Sequence, residues 1–485
     1  MTQQQLEKYL WGAATQLRGT IDAGDYKQYI FPLMFFKRIC DVYDEEFEKA
    51  LEEGDGDLEY AAFAEHHHFL VPEGAHWNDV RETTTNVGVA LQNAMREIEK
   101  ANPDTLYGIF GDASWTNKNR LSDETLTNLI EHYSQHKLSL SNIPDDKLGN
   151  AYEYLIKEFA DDSGHTAAEF YTNRTVVKLM TMIMDPQPGE SVYDPTCGSG
   201  GLLLNCALHL KEEGKEYRTL KLYGQEINLI TSAIARMNMF MHGIEEFSIV
   251  RGDTLARPAF LENDELKKFN VILANPPYSI KAWDRKSFEN DPYGRNLWGT
   301  PPQGCADYAF EQHIHKSMDD HNGRCVQLWP HGILQRVSER EIRINMIKTG
   351  SVDTVIGLGK NLFYNSAMES CLLIRNNNKP TDRKGKILFI DANQLIVDEK
   401  NNVHLSKEHQ TRIFEAYRNF KNQKGFSIVK SEEEVLRNGG SLKITDYLKR
   451  SVNIDDALPF SEAYMQWEDA GLKLKESINQ LFAKL

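Results

Sequence analysis

The stretch VYDPTCGSGGLLL, residues 192–204, decides how the rest of the chain is read. Val192-Tyr193-Asp194 is a short strand-like run ending on a carboxylate. Gly198, Gly200 and Gly201 then form a turn, and Leu202, Leu203 and Leu204 open an apolar helix. Strand, glycine turn and helix make the opening of a β-α unit. Glycines permit the tight turn and let a ligand approach backbone N–H groups. The helix N-terminus favours a negative or polar ligand group. Alone the pattern is weak: it differs from the dinucleotide GxGxxG, and a purely structural turn explains it almost as well.

Further runs of the same texture extend from this unit. KLYGQEI (221–227), FSIVRGD (247–253), NVILANPPY (270–278), RCVQLWP (324–330), SVDTVIGL (351–358) and ESCLLIRN (369–376) alternate with helical patterns. With SVYDP (191–195) they make seven strands, and a helix between successive strands implies an open, largely parallel α/β sheet covered on both faces. KILFIDA (386–392) fits an edge strand or the segment that follows. In such sheets ligands bind at the carboxyl ends of the strands. Glu226 ends the second strand, where a carboxylate can accept hydrogen bonds from both hydroxyls of a ribose. Asp253 ends the third, where it can meet an adenine amino group, although a lone carboxylate at a strand end is more often a cap. Asn275-Pro276-Pro277-Tyr278 follows the apolar run Val271–Ala274 directly. The prolines terminate the strand and stiffen the backbone. The Asn275 amide oxygen and the Pro276 carbonyl offer two acceptors to a planar amino group, and Tyr278 offers a flat face for stacking.

The first 160 residues read as helical. Leu6, Leu10, Ala13, Ala14 and Leu17 recur at helical spacing, and Tyr29, Ile30, Leu33, Met34, Phe36, Ile39 and Cys40 suit a buried helix with a possible kink at Pro32. Residues 41–65 carry eleven carboxylates against Lys49 alone; a solvated helix end is the plainer reading and a docking surface for a basic partner the sharper one. His66, His67 and His68 are expected in an exposed loop. A further helix is expected to begin near Thr172 or Asn173. After residue 393 the chain is polar and mostly helical. Its last stretch, AGLKLKESINQLFAKL, sets Leu472, Leu474, Ile478, Leu481 and Leu485 near one face.

Over 485 residues, 41% hydrophobic and 26% charged side chains exclude a mostly disordered chain and imply two or three folding units. Neither a secretory leader nor a membrane span is visible. Six cysteines without a CxxC pair fit a reducing, cytoplasmic compartment and do not fit a structural zinc. The net charge of −16 opposes tight binding of DNA by this chain alone.

DPTCGSGG, the strand ends at Glu226 and Asp253, and NPPY, in that order, resemble the S-adenosylmethionine-dependent amino methyltransferases, and among them the gamma class of DNA adenine-N6 methyltransferases. AEFYTNR (168–174) resembles that family's extra cofactor-contacting segment, usually written FYTP, with Asn173 where proline is usual. The block LWGAATQLRGTIDAGDYKQYIFPLMFFKRICD, the helix LGNAYEYLIKEFA and then AEFYTNR resemble the modification (M) subunit of type I restriction-modification systems. The resemblance implies an all-helical domain over 1–160, a Rossmann-like seven-stranded catalytic domain over 161–395, and a mostly helical, partner-docking extension over 396–485. It implies catalytic roles for Asn275, Pro276, Pro277 and Tyr278. It implies S-adenosyl-L-methionine binding by Glu169, Phe170, Tyr171, Thr172, Asn173, Arg174, Asp194, Gly198, Ser199, Gly200, Gly201, Glu226 and Asp253, with no metal. The expected activity is adenine-specific DNA methylation at a site read by a separate specificity subunit, with two modification chains per specificity chain. A restriction (nuclease and translocase) subunit can accompany them, and double-stranded DNA is met through the complex. The competing readings are a methyltransferase acting on protein glutamine or RNA, and a non-catalytic scaffold of the same fold. Asp307 and Tyr308 are further candidates for contact with the target nucleotide, a plain loop being an equal reading. Phe363 is a weaker candidate for lining the base pocket than for core packing, and Cys197 and Cys325 read as packing residues.

Overall fold

The computed structural model describes residues 1–162, 172–362, 368–399, 402–449 and 460–482. The N-terminal part is helical. Its principal helices are α1 (Gln3–Gln16), α2 (Lys27–Glu53), α3 (Val87–Ala101), α4 (Asp123–Tyr133) and α5 (Asp145–Asp162). Thr2 caps α1 through a capping box with Gln5, which satisfies two N–H groups that a helix start leaves open. Leu6, Leu10, Ala13 and Ala14 form its buried face. Helix α2 buries every residue from Tyr29 to Val42 and continues through Pro32.

The acidic stretch that follows is partly structural. Asp41 is buried, ion-paired with Lys37, and accepts the Leu138 N–H at 2.6 Å. Of the histidine triplet, expected in an exposed loop, His68 is exposed and His67 is not. The His67 side chain is fully buried, stacks on Tyr43 with ring centroids 4.1 Å apart, and donates to the Ala61 carbonyl at 2.9 Å.

Nine strands form the sheet: β1 (Ser191–Asp194), β2 (Lys221–Glu226), β3 (Phe247–Arg251), β4 (Val271–Ala274), β5 (Arg324–Pro330), β6 (Val352–Leu358), β7 (Ser370–Asn376), β8 (Lys386–Ala392) and β9 (Ser427–Ser431). Their order is β9-β8-β6-β7-β5-β4-β1-β2-β3. Strand β7 runs antiparallel to β5 and β6, β9 runs antiparallel to β8, and the remaining pairs are parallel. All four residues of β4 and all seven of β6 are buried, as strands covered on both faces require. Helices α6 (Arg174–Met184), α7 (Gly201–Glu212), α8 (Leu229–Met241), α9 (Asp307–Ser317) and α10 (Arg340–Lys348) supply that cover. The seven expected strands are all present. Strand β8 lies inside the sheet rather than at its edge.

The expected domain end at 395 needs correction. Strand β9 pairs with β8 over five residues, Lys386↔Ser431 to Ile390↔Ser427. Val403, Leu405, Ile413, Ala416, Phe420 and Phe426, in and around α11 (Lys407–Asn419), are buried in the same apolar layer as Val176, Leu203 and Leu273. The sheet unit therefore runs on to Leu448, which packs with Trp329 and Phe389. Beyond it lies α12 (Phe460–Phe482). Within its apolar stripe Leu472 and Leu474 are exposed; Ile478, Leu481 and Leu485 lie outside the described side chains. Among the described residues, no helix is long and apolar enough to cross a membrane.

The order reverses between β1 and β4. Successive strands β1, β2 and β3 lie to one side, and β4 and β5 to the other. Loops leaving the adjacent carboxyl ends of β1 and β4 diverge there, opening a crevice at the topological switch point.

Candidate functional site

The glycine turn leaves β1 into this crevice. Gly198 and Gly200 adopt φ of 53° and 81°, left-handed values that side chains disfavour. The Cys197 N–H donates to the Gln225 carbonyl at 2.9 Å, which ties the turn to β2. The Gly198 N–H donates to Glu226 Oε2 at 3.0 Å, and the Asn228 N–H donates to Glu226 Oε1 at 2.8 Å. Glu226 thus braces the turn through both of its carboxylate oxygens. Asp194, at the end of β1, is 1% exposed and accepts the Thr196 N–H at 3.0 Å. Burial, reinforced by the Glu226 charge, pushes its pKa up to about 8.

From the other wall, β4 delivers Asn275. Its amide Nδ2 donates to Thr172 Oγ1 at 3.0 Å, and its Oδ1 accepts the Tyr278 hydroxyl at 2.8 Å. Both ends of the amide are therefore oriented. Tyr278 leans on Trp329, with ring centroids 6.3 Å apart. Desolvation pushes the Tyr278 phenol well above its ordinary range, so the hydroxyl remains a donor. Ser279, next in the chain, has φ of 52° and donates its N–H to Asp307 Oδ1 at 2.7 Å; Asp307 is itself ion-paired with Arg336.

One pocket joins the two walls, lined by Thr172, Arg174, Asp194, Gly198, Ser199, Gly201 and Asn275 together with Thr196, Cys197 and Leu202. The expected residues divide around it. Gly200 faces Met239 behind the turn, and Glu226 stands against Gly198. Asp253 is exposed and caps the turn that follows β3, accepting the Leu255 and Ala256 N–H groups at 2.9 and 3.1 Å. Pro276, Pro277 and Tyr278 continue from Asn275. Glu169, Phe170 and Tyr171 lie outside the described residues, as does Phe363.

A family model for the N-6 DNA methylases matches residues 144–456. The chain belongs to that family. A second family model, the HsdM N-terminal domain, matches residues 6–133 of this N-6 DNA methylase, within the helical part. Similar relatives include the MpnII type I restriction enzyme methylase subunit of Mycoplasma pneumoniae, 28% identical across 91% of this chain and 89% of that one. The MjaIX type I methylase subunit of Methanocaldococcus jannaschii is 26% identical across 99% and 90%. The crystal structure of a type I restriction-modification methyltransferase subunit from Streptococcus thermophilus superposes with a TM-score of 0.79 at 28% identity, covering 93% of this chain and all of that one.

Within this methylase, Asn173 replaces the proline usual in the FYTP segment by acting as a helix cap. Its Oδ1 accepts the Thr175 N–H at 3.0 Å, and its Nδ2 donates to the Val403 carbonyl at 2.8 Å. These bonds fix the start of α6, and Asn173 is not among the residues that line the pocket. Asp307 and Tyr308 also depart from expectation. Both are fully buried: Asp307 anchors Ser279, and the Tyr308 hydroxyl donates to the Ile333 carbonyl at 3.0 Å. Asp307 thus supports the NPPY corner from behind, and both side chains are packed inside the protein. Cys197 and Cys325 are buried, as packing residues. Two features escaped the sequence reading. Ile227, directly after Glu226, is 62% exposed, an apolar surface beside the expected ribose acceptor. Glu153, on α5, is ion-paired with Arg174. An isoleucine in a strand-end pattern carries no sign of exposure, and nothing local pairs Glu153 with Arg174.

Proposed function

We propose that this chain is the catalytic modification subunit of a type I restriction-modification system, transferring the methyl group of S-adenosylmethionine to N6 of adenine in DNA at a site chosen by a separate specificity subunit. The observation that carries this reading is the facing of two walls across one crevice. Asn275, its amide held at both ends, stands opposite the glycine turn. Family membership and the HsdM-type N-terminal domain support DNA as the acceptor over protein glutamine or RNA.

The residues of the crevice fit the cofactor. Glu226 offers carboxylate oxygens to the ribose, Asp194 a buried carboxylate to the ammonium, and the N-terminus of α7 a polar cradle. When bound, S-adenosylmethionine supplies an electrophilic methyl group on sulfonium sulfur. An adenine reaching the crevice must leave the duplex. Asn275 Oδ1 and the Pro276 carbonyl then accept the two N6 hydrogens, which localises the nitrogen lone pair and directs it into the crevice. The Tyr278 ring stacks on the base while its hydroxyl steadies Asn275. Asp253 is left for the adenine end of the cofactor, with Ile227 beside it.

Asp194 gives the site a pH dependence. Its folded pKa of about 8 lies above the ordinary aspartate value near ~4. The folded chain thus holds a proton that the unfolded chain has lost, and this carboxyl costs stability as pH rises through that window. A cofactor ammonium beside it favours the ionised form, so binding at neutral pH expels the proton. Calorimetric titration with S-adenosylhomocysteine at pH 7, in buffers of different ionisation enthalpy, should show net proton release from the wild type and none from Asp194→Asn. Identical release by both would remove Asp194 from the ammonium site.

Assembly follows from charge and surface. A chain of net charge −16 repels the DNA backbone, and α12 exposes Tyr464, Met465, Trp467, Leu472 and Leu474. These support docking of the C-terminal helix on a specificity subunit; two modification chains to each is the stoichiometry we propose. A gel-shift comparison tests the division of labour: the chain alone should bind duplex DNA weakly and without sequence preference, and the co-expressed pair tightly and specifically. Tight sequence-specific binding by the isolated chain would overturn it.

A further inference from the structure

Helix α5 of the helical part reaches the glycine turn through Glu153, by way of Arg174 and Asn238. Helix α5 is seated on α8 at Gly149, where an added Cβ would stand 2.4 Å from the His242 ring. One turn on, the Tyr152 hydroxyl donates to the Ile234 carbonyl at 3.1 Å, and α5 is held in register on α8. That register delivers Glu153, whose side chain is 16% exposed, to two partners at the crevice. One carboxylate oxygen is ion-paired with Arg174. The other accepts Asn238 Nδ2 at 2.7 Å, and the same fully buried amide donates to the Ser199 carbonyl at 3.0 Å. Arg174 in turn lies over the turn: a Cβ on Gly201 would fall 1.9 Å from its Nη1, so the guanidinium fills space that only glycine leaves. Arg174 and Ser199 both line the crevice.

We propose that Glu153 is a positioning residue by which the helical domain sets cofactor affinity: it holds the Arg174 guanidinium against the glycine turn, where the guanidinium takes the carboxylate of the cofactor's amino-acid end. The inference rests on the reading of the crevice as an S-adenosylmethionine site. A fixed guanidinium beside the N–H groups that open α7 makes a carboxylate site, because planar donors match carboxylate geometry and the helix end adds partial positive charge. The seat at Gly149 means that a shift of the helical domain moves Glu153, and with it Arg174.

Calorimetry on the full chain tests this with two ligands that share the nucleoside and differ at the amino-acid end: S-adenosylhomocysteine, which has the carboxylate, and 5′-methylthioadenosine, which lacks it. Glu153→Gln should weaken S-adenosylhomocysteine about tenfold or more and leave 5′-methylthioadenosine unchanged. Arg174→Gln should show the same selectivity, which keeps the test decisive if the first variant does not fold. In the Arg174→Gln background, Glu153→Gln should add nothing further. Equal losses for both ligands would make Glu153 merely structural, and no loss for either would disconnect it from the site; both results overturn the proposal and leave the cofactor reading intact. Failure of the wild-type chain to bind S-adenosylhomocysteine would instead overturn that reading and the proposal with it.

Discussion

Asn275→Ala is expected to lower methyl transfer to cognate DNA by at least about a hundredfold, the scale seen when one oriented polar group is removed from a reacting centre. Cofactor affinity and assembly should stay at wild-type level, because the amide acts on the acceptor nitrogen. The geometry makes the substitution informative. Thr172 and Tyr278 fix the amide from opposite ends, at 3.0 and 2.8 Å, so its oxygen is aimed before any base arrives. Alanine removes one acceptor for the amino group and leaves the Pro276 carbonyl as the other. Transfer of labelled methyl to duplex DNA under single-turnover conditions isolates the chemical step. A rate within a few-fold of wild type would take Asn275 out of the mechanism. Tyr278→Phe should fall between the two, since the ring still stacks but the oxygen of Asn275 loses its orienting donor.

Glu226→Ala should weaken S-adenosylhomocysteine binding by about 10- to 100-fold, from hydrogen bonds to a charged acceptor worth roughly 1.5–3 kcal/mol each. Part of that loss is indirect, because Glu226 also accepts the Gly198 and Asn228 N–H groups. Glu226→Gln separates the contributions. One side-chain oxygen remains to brace Gly198, while the charge and one acceptor for the ribose are lost, so its affinity should lie between wild type and alanine. Wild-type affinity in a folded Glu226→Ala chain would reject the carboxylate as a ligand.

Much of this site was legible in the sequence because its signals are local. Strands β1 to β8 each read as an apolar run closed by a polar or turn residue, and the glycine turn and NPPY sit directly at strand ends. What escaped depends on contacts between residues far apart. Strand β9, SIVKS, is a half-buried edge strand, and its short polar sequence carries no more apolar signal than a loop. Asn173 meets Val403 across 230 positions. Asp307 looked like a loop residue free to touch substrate. Its burial follows from two partners, the Ser279 N–H and Arg336, that only the folded α9 brings to it. Polar side chains are assigned to solvent by default when read from sequence, and they are misplaced wherever the fold supplies a buried partner.

Nucleoside analysis of DNA is the most direct measurement of the central claim. The chain, co-expressed with its specificity subunit, is incubated with methyl-labelled S-adenosylmethionine and cognate duplex. The DNA is digested and the labelled nucleoside identified by mass spectrometry. The account predicts label in N6-methyldeoxyadenosine alone, absent when Asn275→Ala replaces the wild type. Label in a methylated cytosine, or label recovered in protein or RNA with none in DNA, would contradict it.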